Sequence, residues 1–240
     1  MTNTIRSFLL FRPLALALLT ALAAAGCATP ARQAPRELVA TNLPFAAEIN
    51  AFADVDHDTP PPTNAILFVG SSSIRLWKTL AEDFPQHQVI NRGFGGSQII
   101  DSVNYADRIV IPYRPKQIVF YAGGNDINAG KSPEEVLLDF QAFVRKVRKA
   151  LPGVKISYIS IAPNPARWSQ VGRVREANRL IRTFASYDGR LEFIDVFPRM
   201  LGRNGQPRPD IFVDDRLHMN AKGYELWKEI VGAHLGPPDP

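Results

Sequence analysis

Four short stretches carry side chains whose types and spacing suit nucleophilic chemistry. Near the end of the chain, Asp215-Arg216-Leu217-His218 sets a carboxylate three residues ahead of an imidazole. On a helical turn that spacing puts both groups on one side, so Asp215 can accept from one ring nitrogen and leave the other free as a base. Of the four histidines only His218 has this arrangement, since His57 precedes the expected fold, His87 stands just ahead of a strand and His234 lies in the terminal tail. Gly70-Ser71-Ser72-Ser73-Ile74 offers hydroxyls next to a glycine that allows a sharp turn. A serine there can expose its hydroxyl beside backbone N–H groups that face developing negative charge, or it can simply cap a helix. The stretch is not the Gly-x-Ser-x-Gly elbow, because Ile74 takes the second glycine position. Asn91-Arg92-Gly93-Phe94-Gly95-Gly96-Ser97 places three glycines within four positions, which suits close backbone approach to an oxyanion or phosphate, or a plain tight turn. Its spacing matches neither a Walker loop nor the dinucleotide fingerprint. Ala122-Gly123-Gly124-Asn125-Asp126 presents an uncharged amide able to donate to a substrate oxygen, or an Asn-Asp turn. Together these stretches supply nucleophile, base, orienter and oxyanion donors.

Such groups act together only if the fold gathers them. Ile66-Leu67-Phe68-Val69, Gln88-Val89-Ile90-Asn91, Gln117 to Tyr121, Lys155 to Ile161 and Leu191 to Val196 read as short apolar strands. Between and after them come helices expected over Ile74 to Asp83, from the glycine-rich turn through Ala106, from Pro133 to the Leu151-Pro152-Gly153 stop, over Gln170 to Ser186 and over Asn220 to Ala233. The helix from Pro133 is the best marked, with Ser132 as N-cap and Glu135 closing a capping box. Strand and helix in alternation imply a parallel sheet covered on both faces, an α/β/α sandwich. In such a sheet ligands sit outside the carboxyl ends of the strands, and three of the four stretches directly follow a predicted strand.

The 240 residues are 45% hydrophobic and 21% charged, the composition of one well-buried catalytic domain. The formal charge of +5 comes from scattered basic residues, so nucleic acid is not expected as a partner. Arg6, Arg12 and the acid-free run from Phe8 to Ala25 have the form of a secretory signal, too short in its apolar core to span a membrane. Leu22-Ala23-Ala24-Ala25-Gly26-Cys27 resembles a bacterial lipoprotein signal, which implies lipidation of Cys27, the single cysteine. With Ala28 next, that resemblance favours an outer-membrane lipoprotein facing the periplasm or cell surface. The expected division is a signal over 1–26, a tether and short helix near Phe45 to Phe52 over 27–63, and the catalytic domain over 64–240, with order beginning near Asn64.

From Ile66 to Trp227 the sequence resembles the SGNH hydrolases, the GDSL-like lipase and acylhydrolase family, in the branch of the platelet-activating-factor acetylhydrolase-like subunits. Gly70-Ser71-Ser72, the Gly96 loop, Gly123-Gly124-Asn125-Asp126 and Asp215-x-x-His218 follow one another in the family's order. The usual Gly-Asp-Ser is Gly70-Ser71-Ser72 here, and position in the block favours Ser72 among the three serines. The resemblance implies a mostly parallel five-stranded, flavodoxin-like sheet and a triad of Ser72, His218 and Asp215. It also implies an oxyanion hole of the Ser72 and Gly96 N–H groups with the Asn125 side chain, and no metal or cofactor. The expected activity is hydrolysis of small or medium acyl esters, with O-acetyl groups on saccharides among the candidates. A lysophospholipase or thioesterase would use the same residues, and the alternative from another class is a catalytically silent binding module in the envelope.

Overall fold

Side chains that alternate along one strand divide the core in two. In β1 (Ile66–Gly70), Leu67 and Val69 enter one apolar cluster while Ile66 and Phe68 enter another, one on each face of the sheet. The computed structural model describes residues 43–238, so the expected signal, Cys27 and the residues that follow it lie outside the described residues. Strand β1 pairs with β2 (Val89–Gly93) and β3 (Gln117–Tyr121), and the sheet continues through β4 (Lys155–Ile159) to β5 (Leu191–Ile194). All pairings are parallel, and the strand order is β2-β1-β3-β4-β5. This is the five-stranded α/β sandwich that the alternation predicts.

Helix α1 (Ala46–Asp58) precedes β1, and the first crossover carries α2 (Ser72–Arg75) and α3 (Leu80–Asp83). The next carries α4 (Ile99–Ile109), and β3 leads into α5 (Gly124–Asn128) and α6 (Pro133–Ala150). After β4 comes α7 (Val171–Ser186), and after β5 comes α8 (Ala221–Gly232). From β1 the chain moves out to β2, then returns across β1 to β3 and continues the same way to β5. Right-handed crossovers therefore put α2 and α3 on one face and α4, α6 and α7 on the other, which is how they divide between the two clusters. Helix α8 joins α2 and α3 through Tyr224 and Trp227. The direction reverses between β1 and β3, and that reversal opens a crevice at their carboxyl ends.

Two local expectations need correction. The single helix over Ile74 to Asp83 is two short ones, because the Asn91 side chain donates to the Ile74 carbonyl at 2.7 Å and takes an acceptor the helix would have used. Asp83 then accepts from Trp77 Nε1 and Thr79 Oγ1, both at 2.7 Å, closing the second turn separately. Order begins earlier than Asn64. Helix α1 outruns the expected Phe45 to Phe52, buries Ile49 in the core and sets Phe45 edge-on to Phe94 at 5.3 Å. Its Asp56 pairs with Arg92 and Tyr113, with Arg92 sandwiched by the rings of Phe52 and Tyr113 at 5.0 and 4.7 Å.

Helix α1 also reaches the glycine-rich loop after β2, where Glu48 Oε1 accepts from the Gly95 N–H at 2.8 Å. Glu48→Ala is expected to lower stability by about 1 kcal/mol, the worth of a charge-assisted bond that is partly open to water. Urea unfolding reads this as a lower midpoint, and Glu48→Gln, which keeps an acceptor, loses less.

Candidate active site

Strand β1 ends on Gly70, whose φ of +140° and closeness to β3 exclude any side chain, since an added Cβ would stand 1.9 Å from the Tyr121 carbonyl. The next N–H, that of Ser71, donates to that carbonyl at 2.9 Å. Ser71 is the buried N-cap of α2, and its side chain makes no capping bond. Ser72 therefore starts the helical turn with its hydroxyl turned into the crevice. Ser73 instead fastens the turn to α8, accepting from Tyr224 Oη through its carbonyl at 3.0 Å.

The Asp215 to His218 segment is not helical. Phe212 and Met219 bridge antiparallel, and Val213 and His218 close a tight loop in which Arg216 takes φ 58°. Within it Asp215 Oδ1 accepts from the backbone N–H groups of Leu217 and His218 at 2.8 and 2.9 Å. Its Oδ2 meets His218 Nδ1 at 2.6 Å, so an Asx-type turn does what the expected helical turn would have done. The Asp215 carboxyl is held down to about 2, chiefly by the His218 N–H, with the imidazole and the Leu217 N–H adding to it against the opposing effect of burial.

The second imidazole nitrogen, His218 Nε2, lies 3.0 Å from Ser72 Oγ. Among the described residues no other histidine joins a carboxylate to a serine in this way: His234 Nδ1 bonds Glu192, and His87 Nδ1 is buried without a partner. With Nδ1–H directed at a carboxylate, Nε2 is left as acceptor for the Ser72 hydroxyl. The arrangement can move a proton from hydroxyl to imidazole.

After β3, the Asn125 side chain lines the same crevice as Ser72 and His218. Its Nδ2 donates to the Ser97 carbonyl at 3.0 Å, which leaves one amide hydrogen unspent. Gly96 is exposed beside it, and a Cβ there would stand 3.9 Å from Asn125 Nδ2. The structure thus gathers Ser72, His218, Asp215, Asn125 and Gly96 at one edge of the sheet.

Three further side chains, to which the sequence motifs assign no role, contribute. Asp126, fully buried, holds the Ile99 N–H at 3.2 Å and Lys131 Nζ at 3.0 Å, and so ties the Asn125 turn to α4. Burial pushes its pKa up, against the Lys131 bond and charge and the Ile99 N–H. Glu48 comes from a helix before the expected domain. Arg167 lies in the loop after β4, with Nη1 on Asn125 Oδ1 at 3.0 Å and on the Gly124 carbonyl at 3.2 Å. The strand-end rule covers that loop as well, and applying it after β4 would have singled out Arg167 as the first charged side chain there.

Fold and sequence family together define a carboxylic ester hydrolase. A model of the GDSL-like lipase/acylhydrolase family matches residues 68–226, and the chain belongs to that family. Solved structures share the fold at low identity. A Streptococcus pneumonia protein named for platelet activating factor superposes with a TM-score of 0.71 at 24% identity, covering 79% of this chain and 92% of that one. A GDSL-like lipase from Bacteroides thetaiotaomicron gives 0.66 at 19% identity, over 78% of this chain and 97% of the other. An acetyl xylan esterase gives 0.61 at 21% identity, over 71% and 99%. No match is found among curated proteins.

Proposed function

We propose that the protein is a serine esterase that hydrolyses small acyl esters, O-acetyl groups on saccharides among them, with Ser72 as nucleophile. The observation that carries this reading is the unbroken line from Ser72 Oγ through His218 to Asp215, at 3.0 and 2.6 Å. In the first step His218 Nε2 takes the hydroxyl proton as Ser72 Oγ attacks the ester carbonyl, and the resulting imidazolium rests on ionised Asp215. The oxyanion is received by the Ser72 and Gly96 N–H groups and the spare hydrogen of Asn125 Nδ2. The imidazolium then protonates the leaving alcohol as the ester C–O bond breaks, and water, deprotonated by His218, attacks the acyl-enzyme, so that the Ser72 Oγ–acyl bond breaks, the acid leaves and the imidazolium returns the proton to Ser72.

A short acyl chain suits the crevice, which Tyr121, Ala162, Met200, Phe212 and Met219 wall closely around Ser72. The acetyl xylan esterase of like fold adds support for an acetyl ester on sugar. A panel of acyl esters of increasing chain length, with acetylated sugars and an acyl-thioester, tests the reading. Highest kcat/KM on acetyl esters is expected. A preference for long chains, for lysophospholipids or for the thioester would contradict it.

The same proposal places the enzyme in the cell envelope, anchored through lipid on Cys27, on the strength of the signal-like first 27 residues. Among the described residues no helix is long and apolar enough to cross a membrane. Cys27→Ser is therefore expected to move the protein from the membrane fraction to the soluble fraction and to abolish incorporation of labelled palmitate. A variant that stays in the membrane fraction would count against the anchor.

A further inference from the structure

We infer that Arg167 is a positioning residue of the oxyanion hole, fixing the Asn125 amide with its nitrogen toward the reacting oxygen and setting a positive charge behind it. The inference rests on the esterase reading given above and adds to it a residue that none of the four sequence blocks contains.

A side-chain amide has two ends of nearly equal size, so its orientation is decided by what it faces. At one end Asn125 meets the Ser97 carbonyl, which can only accept, and at the other it meets the Arg167 guanidinium, which can only donate. A flipped amide would set oxygen against oxygen and N–H against N–H. Two unlike neighbours, each single-minded, therefore hold Nδ2 on the side of the hole, where one hydrogen goes to Ser97 and the other remains for substrate.

Arg167 is itself held from several sides. Asn164 Oδ1 accepts from its backbone N–H at 2.9 Å, and Nη1 also donates to the Gly124 carbonyl at 3.2 Å. The neighbouring Ala166 N–H donates to the Arg216 carbonyl at 3.1 Å, which joins this loop to the turn that carries Asp215 and His218. One loop thus braces both the amide donor and the base.

The charge of Arg167 is unspent. Arg92, Arg148 and Arg182 each pair with an aspartate, but among the described residues Arg167 pairs with no carboxylate. It is half-buried in the crevice, and that burial pushes its pKa down while leaving it protonated. Negative charge arises next to it during the reaction, on the carbonyl oxygen. A cation that polarises the amide strengthens the amide's bond to that oxygen, and does so more in the tetrahedral state than in the ground state.

The test uses the purified protein with 4-nitrophenyl acetate, measuring kcat, KM and the thermal midpoint. Arg167→Met is expected to lower kcat by about 10- to 100-fold with KM within about twofold, and Arg167→Lys to recover part of the loss. Placed on Asn125→Ala, where the amide is gone, Arg167→Met should cost less than about threefold more. Should Arg167→Met fail to fold, Arg167→Gln, neutral and close in shape, carries the same comparison. Wild-type kcat in the neutral variant, a change in KM alone, or an equal loss with and without Asn125 would overturn the inference and leave the esterase reading standing. An inactive wild-type protein would overturn both.

Discussion

Ser72→Ala is expected to lower kcat by about a millionfold while the protein stays folded and still binds ester, the loss typical of a nucleophile removed from a triad. Among the described residues the hydroxyl's hydrogen-bond partner is His218 Nε2 at 3.0 Å, and alanine keeps the Cβ while removing that hydroxyl. Steady-state turnover of 4-nitrophenyl acetate checks the effect, with circular dichroism as the control for folding. Ser71→Ala and Ser73→Ala serve as internal references. Ser71 is buried at the N-cap, and Ser73 is held through its carbonyl, so neither hydroxyl reaches the imidazole and both variants should retain turnover.

Asp215→Asn should cost about ten-thousandfold in kcat, and the local geometry says why the amide is so poor a substitute. Asp215 Oδ1 accepts two backbone N–H groups, from Leu217 and His218. Only an oxygen can sit there, so the amide nitrogen of the variant must take the other position and donate to His218 Nδ1. The ring is then protonated on Nε2, where it faces Ser72 as a donor and cannot act as base. Native Asp215, depressed to about 2, keeps its charge throughout the mildly acidic range. A carboxyl lowered on folding stabilises above its ordinary value and loses that contribution only as pH falls toward 2.

The sheet was legible because its central strands β1 and β3 are short and buried on both faces, with strand and helix alternating beyond them. Leu67 and Phe68 face opposite clusters, which is why Ile66 to Val69 reads as a continuous apolar run rather than an alternation. Ser132 and Glu135 form the expected reciprocal cap at 3.2 and 2.7 Å. The break between α2 and α3 was not legible, since it depends on Asn91, a residue on another strand, taking the Ile74 carbonyl. Helix α1 was seen only in part. Its anchorage runs through Arg92, Tyr113 and Gly95, distant in sequence and without a local signal.

At the site, the spacing of Asp215 and His218 suggested a pair on one helical turn, and the two side chains do meet, but through a turn around Arg216 in place of a helix. Ser72 could not be told from its neighbours by local sequence, and the fold separates the three by giving Ser71 the cap, Ser73 the tie to Tyr224 and Ser72 the imidazole. Arg167 stands in the loop after β4, where the strand-end rule points, but its partner Asn125 lies on the neighbouring strand's loop and no local spacing joins the two.

A fluorophosphonate probe followed by peptide mapping reports an activated serine and its position in one experiment. A phosphonyl adduct on Ser72, absent from Ser72→Ala, is the expected result. An adduct on Ser71 or Ser73, or none on folded wild-type protein, would contradict Ser72 as the nucleophile.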